Sequence, residues 1–324
     1  MRTFIRRIFI SAMFTALPLS CALAQDHFPS HPIKIVVPFP PGGSSDSIAR
    51  LLANGMKDQL GQPIIVDNKA GAGTVIGTEA VAKSPADGYT LLWMTTPFAI
   101  NATLMKSLPY DTFKDFTPIV DVVEMPLVMI VPPSSPAKSV HDLVGMAKRA
   151  PGKLSYGSSG NGGSPHLATE MFKSMTGVSI NHVPYRGSAP AVQDLLAGQT
   201  DVVLDTIFLT TPYVKSGNAR ALAQTGAKRS AYLPNVPTMR EAGIAGYEAT
   251  SWLSLAAPAG TPTGVIQKLN AAVNEVLKNQ ALREQITKQG MEIVAGTPED
   301  AERHLRLEVE KWGSAVKTSG AKLD

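Results

Sequence analysis

At 324 residues the chain is long enough for one large domain or two medium ones. Lys+Arg total 30 against 26 Asp+Glu, a formal net charge of +4, and much of that excess sits in the first 24 residues, where Arg2, Arg6 and Arg7 meet no acid. The remainder holds 27 basic against 26 acidic residues, a balance of +1 that gives no case for a nucleic-acid or anionic-membrane binder.

The N-terminal stretch reads as an export signal. A basic n-region is followed by an apolar run from Ile8 to Leu23 and by Ala22-Leu23-Ala24, an A-x-A cleavage pattern. We therefore expect a signal peptide over 1–24, cleaved after Ala24. Cys21, the single cysteine, lies within it, so the mature chain forms no disulfide. A lipobox ending at Cys21 is the rival reading, but Pro18 stands where Leu is expected. Arg6-Arg7-Ile8-Phe9-Ile10 partly resembles a twin-arginine signal, and the ordinary secretory route is favoured because no cofactor motif calls for prefolded export. No other run approaches the ~20 apolar residues of a spanning helix.

Ile33-Lys34-Ile35-Val36-Val37 predicts a strand, and Ile48, Leu51, Leu52, Met56 and Leu60 recur at helical spacing after it. Between them stands Pro38-Phe39-Pro40-Pro41-Gly42-Gly43-Ser44-Ser45-Asp46. Prolines fix the approach, the two glycines let backbone N–H groups face outward, and Ser44, Ser45 and Asp46 are candidate caps. A helix start with bare amides attracts carboxylates as readily as phosphates. Taken alone, such a turn is also ordinary α/β punctuation.

Ile64-Ile65-Val66 is the next strand, then a glycine turn at Asn68 to Gly77 and a helix near 74–83. The spacing Gly71-x-Gly73-x-x-x-Gly77 is not G-x-G-x-x-G, and no acid closes the next strand, so a dinucleotide site is not expected. Strand 90–94 ends in Thr95-Thr96-Pro97, where Thr95 is a candidate ligand hydroxyl and Thr96 reads equally as a helix cap. The rhythm restarts with a strand at 127–131 and a capping box at Ser139-x-x-Asp142. Further strands are expected at 154–156, 180–183, 201–204 and 219–223, with helices around 164–176, 189–197 and 209–216. Amphipathic helices follow Pro262 and start at Thr297-Pro298.

The second candidate loop is Tyr156-Gly157-Ser158-Ser159-Gly160-Asn161-Gly162-Gly163-Ser164-Pro165-His166. It has no Lys, so it is no P-loop, and no G-x-S-x-G order. His166 reads as a packing or capping residue. Arg186 is the nearest cation, and Asp205 ends a strand where it can accept a hydrogen bond from a ligand hydroxyl, amine or water. Catalytic constellations are missing: no H-E-x-x-H, no mature cysteine, no clustered carboxylates for a metal, and a bare S-x-x-K at Ser135-Pro136-Ala137-Lys138 without its companion motifs.

These loops, with Leu233-Pro234-Asn235-Val236-Pro237-Thr238, Trp252, Ala257-Pro258-Ala259-Gly260-Thr261-Pro262 and Gly296-Thr297-Pro298, resemble the Bug family, the solute receptors of tripartite tricarboxylate transporters. The resemblance covers nearly the whole mature chain. It implies an α/β, two-lobed periplasmic-binding-protein fold of type II kind, with two parallel-rich sheets flanked by helices and a ligand cleft between the lobes. Lobe I is expected over 25–124 plus 248–324 and lobe II over 125–247, linked by two crossing strands.

The implied function is a periplasmic receptor, not an enzyme, needing no cofactor and no metal. It would capture a small carboxylate, mono- or dicarboxylate, with aromatic and amino acids open. Amides of 42–45 and 159–163 would grip it, with Phe39, Gly42, Gly43, Ser44, Ser45, Thr95, Ser159, Gly160, Asn161, Gly163, Ser164 and Asp205 as ligand-binding residues. The expected partners are the membrane components of the transporter, with a monomeric receptor and no nucleic acid. A sensor kinase's outer domain is the alternative partner, and a secreted enzyme using the same cleft is the third reading.

Overall fold

The computed structural model describes residues 28–319 and 321, so the leader read over 1–24, with Cys21 and the cleavage site, lies outside the described residues. β1 (Ile33–Val37) buries every residue but Lys34, the pattern of a parallel strand covered on both faces. α1 (Ser44–Leu60) turns Ile48, Leu52, Met56 and Leu60 inward, each worth about 1.5–3 kcal/mol of burial, and ends at Gly61 in the left-handed region. β2 (Ile64–Asn68) leads through a 3-10 turn, Ala72–Thr74, to α2 (Val75–Ala82) and β3 (Thr90–Thr95). α3 (Thr96–Leu104) is the helix that the cap reading of Thr96 allowed, although Thr95 is its N-cap residue. Its Phe98, Ala99, Ile100 and Leu104 are buried, so packing imposes a helix on a Thr- and Asn-rich stretch.

β4 (Phe116–Val131) begins eleven residues before the expected strand at Leu127. Pro118 and Asp121 hide its first half in sequence, and the ladder accommodates them by register shifts between Pro118 and Val120 and between Asp121 and Val123. The chain continues through α4 (Val140–Arg149), β5 (Ser155–Ser158), α5 (Ser164–Thr176), β6 (Asn181–Pro184), α6 (Ser188–Leu196), β7 (Val202–Thr206), α7 (Ile207–Lys215) and β8 (Arg220–Gln224). It closes with β9 (Thr250–Pro258), α8 (Thr263–Lys278), α9 (Gln280–Thr287), β10 (Glu292–Ile293) and α10 (Pro298–Ser319), of which α9 and β10 were not expected.

The strands order as β2-β1-β3-β9-β4-β7-β5-β6, with β8 and β10 also on β4. Parallel pairing is confined to β2-β1-β3 and β6-β5-β7, and every antiparallel pair includes β4 or β9. Thus the two lobes share one long strand. β4 pairs with β9 up to Pro126 and with β7 and β8 from Leu127 onward. Thr225 ties this switch point to the returning chain: its hydroxyl accepts the Leu127 N–H at 2.8 Å and donates to the Ala249 carbonyl.

α10 packs on α3, α5 and β4, so it touches both lobes. Its buried Glu308 Oε2 accepts both indole N–H groups of Trp252 and Trp312, each at 2.7 Å. One turn earlier, His304 Nδ1 lies 3.0 Å from Asp121 and its Nε2 faces Glu124 and Glu308. Burial alone would lower the His304 pKa, but the Asp121 hydrogen bond and the charges of Asp121, Glu308 and Glu124 carry it above 6.5. Stability from this cation is full below pH 6.5 and is lost as pH rises through the raised value. Urea unfolding of wild type and His304→Gln should give a margin that is wider near pH 5.5 than near pH 8.5. An equal margin at both would contradict the ion cluster.

Candidate functional site

Every helix that leaves the carboxyl end of a strand in the two parallel groups starts without a side-chain cap: α1, α2, α3, α5, α6 and α7. By contrast, Ser139, Asn279 and Thr297 accept N–H groups at the starts of α4, α9 and α10. The first amides of a helix have no internal acceptor, so an uncapped start leaves donors free. Open α/β sheets bind ligands at these strand ends.

In the first loop Gly43, not Ser44, Ser45 or Asp46, is the N-cap residue of α1. Asp46 does something else. Its Oδ2 accepts the Gly42 N–H at 2.9 Å and Arg50 Nε at 3.0 Å, while Oδ1 accepts Asn68 Nδ2 at 2.9 Å. Asn68 also reaches the Phe39 carbonyl at 3.1 Å. The Gly42 amide, expected as a ligand donor, is therefore occupied, because a carboxylate in the first turn outcompetes solvent for it. Gly42 still shapes the turn at φ +89°. The amides of Gly43, Ser44 and Ser45 have no acceptor among the described residues. Phe39 is half-buried against the lobe I core.

The second loop repeats this arrangement with different side chains. Ser158 Oγ accepts the Gly160 N–H at 3.2 Å, and His166 Nδ1 accepts the Gly162 N–H at 3.0 Å. The Gly160 amide, another expected donor, is thus also occupied, and His166 caps as expected. The amides of Ser159, Asn161, Gly163 and Ser164 have no acceptor among the described residues. Ser164 Oγ pairs with Ser251 Oγ of β9 at 3.0 Å. Gly162, at φ +75°, sits on Leu104 of α3, where an added Cβ would meet Cδ2 at 2.3 Å. This contact and the serine pair join the second loop to lobe I.

Half of the unpartnered buried atoms lie at these strand-to-helix junctions. Six buried side-chain polar atoms lack a partner among the described residues, and three belong to expected ligand residues: Ser45 Oγ, Thr95 Oγ1 and Asp205 Oδ2. Leaving such a group unpaired costs about 1–3 kcal/mol, so their concentration here asks for a ligand. Burial raises the Asp205 pKa to about 6, against the pull of Ser188 and Thr206. Thr96, equally read as a cap, instead accepts the Trp252 N–H at 2.9 Å and pins β9 to the start of α3.

Sequence reasoning missed Ser251, Asn68 and His182 as site-shaping groups. Their partners lie 22 to 87 residues away, and nothing local marks them. In the turn at 68–77, Thr74 and Val75 are buried, and Asn101 Nδ2 donates to the Gly73 carbonyl at 2.8 Å. Arg186 is exposed. Ser158 and His182 lie 2.6 Å apart, but Ser158 is fully buried and its Oγ is engaged by Gly160, which suits a prop better than a nucleophile. Surface grooves along the Glu299–Leu307 face of α10 and between α1 and α9 contain none of the unpartnered atoms.

The model of the Tripartite tricarboxylate transporter family receptor matches residues 48–321. Protein BugT of Bordetella pertussis is 41% identical over 318 residues, covering 98% of this chain and 96% of that protein. Among solved structures, R. palustris Rpa4515 with adipate aligns with a TM-score of 0.81 and 38% identity, over 91% of this chain and 99% of that one. MatC from Rhodopseudomonas palustris, with bound malate, gives 0.75 and 31%, over 89% and 100%.

The Asp46 knot is open to direct test. Burial works against its ionisation, but the Arg50, Gly42 and Asn68 bonds hold its pKa at about 2 instead of 3.8. Its stabilisation is therefore present above pH 3.8 and lost as pH falls through about 2. Asp46→Asn should unfold at lower urea than wild type by a steady margin from about pH 5 to 8, with the margin shrinking towards pH 2. A margin undiminished at low pH would rule out the charge as its source.

Proposed function

The chain belongs to the tripartite tricarboxylate transporter receptor family, and from that premise we propose that it is a periplasmic receptor for a small dicarboxylate. It delivers this ligand to the membrane components of a tripartite transporter. The observation that carries the reading is the set of unpaired donors at the starts of α1 and α5, together with the unpartnered buried atoms Ser45 Oγ, Thr95 Oγ1 and Asp205 Oδ2.

One ligand carboxylate sits between the free amides of Gly43, Ser44 and Ser45 and those of Ser159, Asn161, Gly163 and Ser164. Two helix dipoles add to the attraction, so no arginine is required. Asp205 accepts a hydrogen bond from the far end of the ligand, a hydroxyl or a protonated carboxyl, and disfavours a fully ionised tricarboxylate. The adipate and malate bound by similar structures support this class. The lobes divide at 25–124 plus 248–324 and 125–247, a division supported by the pairing switch on β4 at Leu127 and by the Thr225–Ala249 tie. Closure buries the ligand, and the closed surface is what the transporter reads. Binding shifts the lobes only as far as the ligand prefers that closed state. The mature chain acts as a monomeric binder without turnover, exported by its 1–24 leader.

Thermal unfolding of the mature protein with adipate, malate, adipamide and NAD tests the class. A ligand at ~100 times its Kd adds ~2.7 kcal/mol. Stabilisation by a diacid and none by the diamide is expected; stabilisation by adipamide or NAD instead would overturn the carboxylate reading. A sharper variant is Ser44→Pro. Proline is tolerated at the first helical position and deletes one amide donor. Against a Ser44→Ala control, it should lose about 10- to 100-fold in affinity, the worth of one hydrogen bond to an ion, with an unchanged melting temperature. Equal affinities in both variants would remove this amide from the site.

A further inference from the structure

Three aromatic rings stack beneath the second loop, outside the set of ligand-facing groups. Tyr156 of β5 lies on His182 of β6 with centroids 4.7 Å apart, and His182 lies on His166 of α5 at 4.1 Å, the ring planes nearly parallel. One imidazole ends on the loop backbone and the other on a loop side chain. His166 Nδ1 accepts the Gly162 N–H directly, and His182 Nε2 lies 2.6 Å from Ser158 Oγ, which in turn accepts the Gly160 N–H. We propose that His166 and His182 are positioning residues for the ligand loop: they turn its alternate amides inward, leave the others outward for the carboxylate, and release that pattern on protonation.

The chemistry is asymmetric. An N–H can be accepted only by an unprotonated Nδ1, so a cationic His166 sets N–H against N–H at Gly162. His182 can turn from acceptor to donor towards Ser158 without losing that contact. His166 is therefore the switch and His182 its support. The charged groups acting on His166 are Glu170 and Lys173 of its own helix; Tyr156 and His182 face it from β5 and β6. Neither α10 nor β7, which also pack on α5, adds a charge that acts on it among the described residues. Glu170 is itself held by the Tyr156 hydroxyl and by Lys173 at 2.6 Å. Burial, then Lys173, lowers the His166 pKa against the pull of Glu170. Burial and His166 bring His182 down to about 4. Both rings are neutral at pH 7, and the loop pattern fails only in acid.

Coupling to ligand rests on the receptor reading above, so the test has a ligand-free arm. The Gly162 amide and the His166 imidazole should titrate together by NMR, with a midpoint below 6.5. His166→Asn offers an acceptor that does not titrate near the Nδ1 position; it should abolish the Gly162 titration and keep adipate affinity within about threefold of wild type at pH 7.5. His166→Leu should lose affinity already at pH 7.5. Between pH 7.5 and 5, wild type should weaken more than His166→Asn, a comparison from which adipate's own protonation cancels. A Gly162 amide that ignores His166, or equal acid losses in wild type and the Asn variant, overturns the proposal. If adipate binds at no pH while Gly162 still follows His166, the ligand assignment fails and the positioning role stands.

Discussion

The site depends on one constraint: the amides at the start of a helix need acceptors, and this chain supplies acceptors to only some of them. At α1 the Asp46 carboxylate takes the Gly42 N–H and stops there. At α5, Ser158 and His166 take the Gly160 and Gly162 N–H groups and leave those between. The two lobes reach the same result with unrelated side chains, a carboxylate in one and a serine with two imidazoles in the other. Glycines at positive φ make both turns possible, and the inward bonds determine which donors remain outside. A loop with every amide satisfied would bind no anion, and one with none satisfied would lack a fixed shape.

The long strand β4 gives these loops a common frame. It carries the antiparallel ladder of lobe I on its first half and that of lobe II on its second, so both sets of strand ends are registered to a single backbone. Thr225 secures the crossing at Leu127 and Ala249, where a lost hydroxyl would leave buried backbone groups unpaired at about 1–3 kcal/mol each. α10 spans the back, bonding Trp252 of β9 through Glu308 while packing on helices from both lobes. The pairing partners of β4 therefore change at residues 126–127, next to the point where Ala249 leads into β9.

Much of this was legible in the sequence, for physical reasons that differ by element. β1, β3 and β7 are apolar runs buried on both faces, so composition alone marks them. Ser139 and Thr297 announce their helices because capping is a local interaction. Two α/β units followed by a helical return already point to two lobes, while the double crossover between them came from the family resemblance. The first half of β4 was hidden by Pro118 and Asp121, residues a strand accepts only with register shifts. At the loops, the glycines and serines were visible but the division into occupied and free amides was not. That division is made by Asp46, Ser158 and His166, with Asn68 and His182 reaching two of these acceptors only through the fold.

The most direct measurement is the response of individual backbone amides to ligand, read by NMR on the mature protein titrated with adipate. The account predicts that Gly43, Ser44, Ser45, Ser159, Asn161 and Gly163 shift strongly, as donors newly bonded to an anion, while Gly42, Gly160 and Gly162, already bonded within the protein, change little. Large shifts confined to the second group, or to residues lining the grooves of α1, α9 and α10, would contradict it.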